Sequence, residues 1–116
     1  MTIDRTPAHL SDMLGFVREL RDIVGGTTLD AYLLNRVLNL AVEKLFINLG
    51  EAAQRVPETD RIAISDLPWR QIIGLRNILA HGYEQVAHET LYRTVTTELA
   101  AVEQALCVRL ASRGDA

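Results

Sequence analysis

Trp69-Arg70-Gln71-Ile72-Ile73-Gly74-Leu75-Arg76-Asn77-Ile78-Leu79-Ala80-His81-Gly82-Tyr83 is the stretch that decides how this chain folds. Trp69, Ile72, Ile73, Arg76 and Leu79/Ala80 fall on one face at helical spacing, the pattern of an amphipathic helix packed on one side. Ser65-Asp66 is a candidate cap for that helix, with Pro68 in its first turn. Its far end gathers an arginine, an amide, a histidine and a tyrosine in the order R-N-x-x-x-H-x-Y. Trp69 reads as an anchor of packing rather than a base-stacking platform.

The same periodicity extends outward on both sides. Leu10, Met13, Leu14, Val17, Leu20 and Val24 form the buried stripe of a first helix, capped at Thr6-Pro7 and stopped by Gly25-Gly26. A second helix is expected from a Thr27 or Thr28 cap to Val56, ahead of Pro57. Its apolar set runs from Tyr32 to Ala53 and is too wide for one contact, so a second copy of the chain is the expected partner of the extra face. Gly50 costs about 1 kcal/mol inside a helix and marks a close helix crossing. Residues 57–67 form a connector that is long for a bundle loop. A fourth helix starts near Glu89, carries the stripe Leu91, Val95, Leu99, Val102 and Leu106, and frays at Ser112-Arg113-Gly114. The expectation is one all-α domain over residues 1–116, an antiparallel up-and-down bundle of four main helices.

Composition bounds the function. The 116 residues allow a single core, and nearly half of them are apolar. A net charge of -3 gives no global positive field for nucleic acid, so any RNA contact must come from a local patch. Lys44 is the only lysine among twelve basic residues, the rest being arginine, the better bidentate phosphate ligand. Cys107 is alone, which excludes an internal disulfide, and its helical setting reads as a packed, inert thiol. No apolar run approaches a membrane span and no leader is evident, so a cytoplasmic protein is expected. No cluster has metal-ligand spacing and no Gly-rich loop could cradle phosphates, so neither a metal nor a cofactor is expected.

Arg76, Asn77, His81 and Tyr83 are residue types suited to a phosphodiester. Histidine titrates near neutrality and suits the base that takes the ribose 2′-hydroxyl proton. Arginine keeps its charge and offers a planar fork for the non-bridging oxygens. Asn77 is placed to orient the imidazole or a phosphate oxygen, and Tyr83 to hydrogen-bond substrate or accept a modification. On a straight helix Arg76 and His81 would point about 140° apart, so the helix must end or kink between Leu79 and Gly82 for both to serve one phosphate. Other polar residues have plainer readings. His9 and His88 are expected on the surface, and Glu51 in an i,i+4 pair with Arg55, the alternative being an inward carboxylate that orients Arg76.

The R-N-x-x-x-H-x-Y pattern resembles the HEPN superfamily, and specifically the HepT-like toxins, whose signature is R-x-x-x-x-H-x-Y at the end of a bundle helix. The Gly50-Glu51 step is similar to that of HepT-like second helices. The resemblance implies a metal-independent endoribonuclease toxin of a toxin–antitoxin pair, with Arg76 and His81 catalytic in a composite site where two protomers of a homodimer meet. It implies cleavage that leaves a cyclic phosphate. It also implies an antitoxin of the MNT nucleotidyltransferase type, which transfers AMP to the motif tyrosine, here Tyr83. A rival from another class is a non-catalytic HEPN adaptor that binds a nucleotidyltransferase or a nucleotide, which the acidic charge favours.

Overall fold

The computed structural model describes residues 3–81 and 86–112, and the described chain is all helical. Helix α1 spans Thr6–Val24, α2 Leu29–Leu34, α3 Arg36–Arg55, α4 Glu58–Ala63, α5 Trp69–Ala80, α6 His88–Thr97 and α7 Leu99–Ser112. Four main segments make the bundle: α1, the α2–α3 pair, α5, and the α6–α7 pair. Helix α3 lies between α1 and α5, and α1 packs in turn on α6 and α7. Contacts of Arg18 with Cys107 and of Arg21 with Glu103 show α1 and α7 running antiparallel. No described helix is long and apolar enough to cross a membrane.

The α1 stripe is buried as its periodicity requires: Leu10, Met13, Leu14, Val17, Leu20 and Val24 are all in the core. Its start differs from the expected cap. Thr6 is the first helical residue, its amide donates to Asp4 Oδ1 at 3.0 Å, and its hydroxyl donates to Asp60 Oδ2 at 3.1 Å. That last bond ties α1 to α4.

The long second helix is broken at Asn35. There the backbone leaves the helical region (φ -99°, ψ 92°), the Asn35 amide donates to Tyr32 O, and its side chain accepts from Leu38 N at 3.0 Å. One asparagine thus closes α2 and caps α3, the local competition with the helix ladder that asparagine is suited to make. Asn39 is buried behind it and donates to Tyr32 O at 3.3 Å. The break leaves Leu33, Leu34, Val37 and Leu40 exposed.

The last segment is also broken, at Glu98. Hydroxyls of Thr94, Thr96 and Thr97 donate to the carbonyls of Thr90, Tyr92 and Arg93, four residues back in each case. Such back-bonding bends helices. The apolar stripe survives the bend, since Leu91, Val95, Leu99, Val102 and Leu106 stay buried.

The connector holds the short α4 and the seat of the motif helix. Trp69 Nε1–H donates to Ile64 O at 2.7 Å, and Ile64 and Leu67 join the core. Trp69 is therefore the packing anchor expected of it. Ser65 and Asp66 do not cap α5; Pro68 occupies the N-cap position without a side-chain bond, and Asp66 pairs with Arg109 at 3.6 Å.

Candidate active site

Helix α5 crosses α3 at Gly50. A Cβ there would overlap the Cβ of Arg76 and lie 3.1 Å from Ile72 O, so only glycine permits the approach. The close crossing read from the sequence is present, and what it admits is the stem of the motif arginine. The Arg76 side chain is consequently 26% exposed. Its aliphatic part is held by α3 while the guanidinium reaches the rim.

Three groups surround that guanidinium. Arg76 Nη1 donates to Asn77 Oδ1 at 3.1 Å. Arg76 Nη2 stands 4.0 Å from Glu51 Oε1, close enough for attraction but beyond a hydrogen bond. Arg76 Nε is buried without an acceptor. Glu51 thus turns to Arg76 and not to Arg55, which corrects the i,i+4 expectation. The reason is the crossing: Gly50 brings α5 so near that the next residue on α3 meets the arginine before its own helical neighbour. The fork is oriented by a carboxylate and an amide, yet keeps unmet donors, the state suited to receiving an anion.

Helix α5 ends inside the motif. Ala80 is the last helical residue of α5, and His81 is its C-cap at φ -88°, ψ 4°, with an exposed side chain. His81 is therefore released from the direction that a continuing helix would impose. Tyr83, together with Gly82, lies outside the described residues.

The structure brings Arg76, Asn77 and Glu51 together and sets His81 at the end of the same helix. It does not add His88 to that cluster. His88 opens α6, and its Nδ1 lies 3.9 Å from Glu43 Oε2. Glu43 precedes Glu51 by eight positions, about 12 Å along α3. His88 is half-buried rather than displayed on the surface, and so is His9, whose Nδ1 is buried and which lines a groove shared with Arg5 and Arg55. Both histidines fill seams between elements, which single-helix periodicity does not reveal. Cys107 is half-buried, with Arg18 Nη2 donating to its Sγ at 3.3 Å. Among the described residues no group of three or more metal-ligating side chains converges.

The chain is similar in sequence to several known proteins. The chain is 24% identical over 97 residues to "Putative RNase MJ1380" of Methanocaldococcus jannaschii, covering 84% of this chain and 89% of that protein. It is 28% identical over 101 residues to "Putative RNase TTE0752" of Caldanaerobacter subterraneus subsp. tengcongensis, covering 86% and 90%. It is 21% identical over 95 residues to "Probable ribonuclease HepT" of Thermococcus cleftensis, covering 82% and 86%. No solved structure matches. The profile of the Ribonuclease HepT-like family matches residues 13–108, which takes in the Gly50–Arg76 crossing and the whole motif, and the chain belongs to that family.

Proposed function

We propose that this chain is an endoribonuclease in which His81 is the general base and Arg76 the cation that stabilises the transition state. His81 takes the proton of a ribose 2′-hydroxyl, and the 2′-oxygen attacks the adjacent phosphorus. The bond from phosphorus to the 5′-oxygen breaks, that oxygen leaves with a proton from solvent, and a 2′,3′-cyclic phosphate remains. Arg76 meets the charge on the non-bridging oxygens, and Asn77 holds the fork. The observation that carries the reading is the Arg76 guanidinium, oriented by Asn77 and Glu51 yet with its buried Nε unsatisfied, one turn before a helix end that releases His81. A phosphate oxygen would supply the missing acceptor.

Two finer parts belong to the same reading. The active form is a homodimer whose two motif helices line one groove, which would concentrate cationic groups in an acidic protein. The exposed Leu33, Leu34, Val37 and Leu40 supply apolar surface for that contact. Activity is silenced by a partner nucleotidyltransferase of the MNT type that transfers AMP to Tyr83, placing a phosphate where the substrate phosphate must sit. The system is then a toxin and its antitoxin.

The test is cleavage of RNA by purified protein with chelator present, wild type against His81→Ala. The expected result is a cyclic-phosphate product from wild type only, with both proteins equally folded. Equal cleavage by both would remove His81 from its role. RNA binding without cleavage by either would favour the non-catalytic adaptor, to which the net charge of -3 is better suited.

A further inference from the structure

A groove of about 530 Å³, with charged side chains along a partly apolar wall, runs along α5 away from His81 and ends at α4. It begins at Asn77, the residue that accepts the Arg76 hydrogen bond, so it is continuous with the candidate active site. Gly74, Arg70, Arg61 and Glu58 line the rest together with the apolar Ile62, Trp69 and Ile73. Arg70 precedes Asn77 by seven positions, about 10 Å along the same side of the helix. Among the described residues Arg70 has no ion-pair or hydrogen-bond partner. Arg61 uses only its Nε, which donates to Val56 O at 3.0 Å and fixes the base of its fork. Arg18, Arg21, Arg93 and Arg109 are paired with carboxylates, while Arg5, Arg36 and Arg55, also without a side-chain partner among the described residues, lie outside this groove. In an acidic protein the two arginines left unpaired beside the motif are where an anionic chain would be met.

Gly74 supplies the independent observation. It sits in the interior of α5, where glycine weakens a helix, and a Cβ added to it would meet nothing within 4 Å. No packing explains it, in contrast to Gly50. Gly15 of α1 also meets nothing, but that residue is on open surface, whereas Gly74 is half-buried on the floor of the groove. A bare patch of helix between a free arginine and the motif amide is what close approach of a ligand backbone requires.

We propose that this groove holds the sugar-phosphate backbone of single-stranded RNA on one side of the cleaved bond. Arg70 and Arg61 are its phosphate ligands, and Gly74 is the floor on which the strand lies. The assignment rests on the ribonuclease reading and extends it to residues outside the motif. Glu58 opposes it, and its carboxylate should weaken binding wherever a phosphate passes α4.

Binding of a fluorescent RNA oligonucleotide carrying 2′-O-methyl riboses throughout, which cannot be cleaved, tests the groove apart from catalysis. Arg70→Gln should weaken binding several-fold and lower the slope of log affinity against log salt by about 0.7, the loss of one single-strand phosphate contact. Gly74→Ala should raise Tm by a few degrees and yet weaken binding. Glu58→Gln should tighten binding, and Arg93→Gln, the same charge change on α6, should leave the slope as in wild type. An unchanged slope in Arg70→Gln, undiminished binding by Gly74→Ala, or no binding by wild type would overturn the proposal. So would a change of oligomeric state in Gly74→Ala, since the groove would then belong to a second copy. Cleavage of unmodified RNA is scored separately. Cleavage with an unaltered Arg70→Gln slope removes the groove and keeps the ribonuclease, whereas Arg70-dependent binding without cleavage does the reverse.

Discussion

The side chain of Arg76 begins where a side chain at residue 50 would be: a Cβ on Gly50 would overlap the arginine Cβ and stand 2.8 Å from its Cγ. The relationship is steric before it is chemical. Gly50→Ala gains about 1 kcal/mol of helix propensity but must push α5 away, a small-to-large change that costs about 1–3 kcal/mol. Urea melts should show a net loss, and a larger one for Gly50→Val. In an Arg76→Gly background the penalty should largely vanish. A Gly50→Ala protein more stable than wild type would mean that the crossing is looser than described.

Charge alone should not restore Arg76. Arg76→Lys keeps the cation but loses both the planar fork and the bond from Nη1 to Asn77. We expect cleavage to fall at least a hundredfold, on the scale set by removal of one oxyanion donor, with the circular dichroism spectrum unchanged. Near wild-type turnover would show that Arg76 acts only through long-range charge.

Dimerisation should depend on the break at Asn35. Leu34 is 87% exposed and Val37 78%, so placing Glu at either costs the isolated protomer little, within about 0.5 kcal/mol. Sedimentation at micromolar concentration should show a dimer for wild type and a monomer for Leu34→Glu with Val37→Glu. Cleavage should fall with it if the site is composite. A double variant that remains dimeric would move the interface elsewhere.

Alkaline pH should expose a buried phenol that has no partner among the described residues. Tyr32 is fully buried, stacks at a tilt on Tyr92 with ring centroids 5.4 Å apart, and leaves its hydroxyl without an acceptor or donor. Burial, with the Glu43 charge adding to it, pushes its pKa up to about 12. The unfolded phenol ionises near 10, so the unfolded state binds fewer protons above that pH. Stability from this group is therefore complete below pH 10 and is lost as pH climbs to about 12. Tyr32→Phe should flatten that part of the profile and match or exceed wild-type stability at pH 7, by up to about 1 kcal/mol. A destabilised Tyr32→Phe would indicate a bound water on the hydroxyl.

Control through Tyr83 is a question of mass. Co-expressed with a neighbouring nucleotidyltransferase gene, the protein should gain one adenylyl group, and Tyr83→Phe should not. Tyr83→Phe should also remain active, since its hydroxyl at most helps to hold substrate. An adduct on another residue would overturn this mode of silencing and leave the cleavage chemistry standing.

The motif, its helix and the α1 stripe were legible because each is written in one element: spacing alone tells which face is buried. Gly50 was legible for the opposite reason, since a glycine in a helix needs an outside cause. What spacing could not tell was direction across a seam. Glu51 pairs with Arg76 because of where α5 lies, and the half-burial of His9 and His88 depends on neighbouring elements in the same way. The two breaks were obscured by side chains that compete with the backbone. Asn35 and the Thr94-Thr96-Thr97 group sit within continuous apolar stripes, so periodicity ran straight through them. Their hydroxyl and amide bonds to the main chain were the available signal.

The Gly50 crossing makes the two proposed catalytic positions unequal in what their exchange does to the fold. His81 is the exposed C-cap of α5 and lies outside the crossing, so exchanging it leaves the α3–α5 packing in place. Arg76 fills the seam that a missing side chain on α3 leaves open, so its removal also leaves a gap between two helices. Silent descendants of such an enzyme should therefore shed the histidine first and keep the arginine. In them the arginine would outlast the reaction that it once served, retained as a piece of the scaffold.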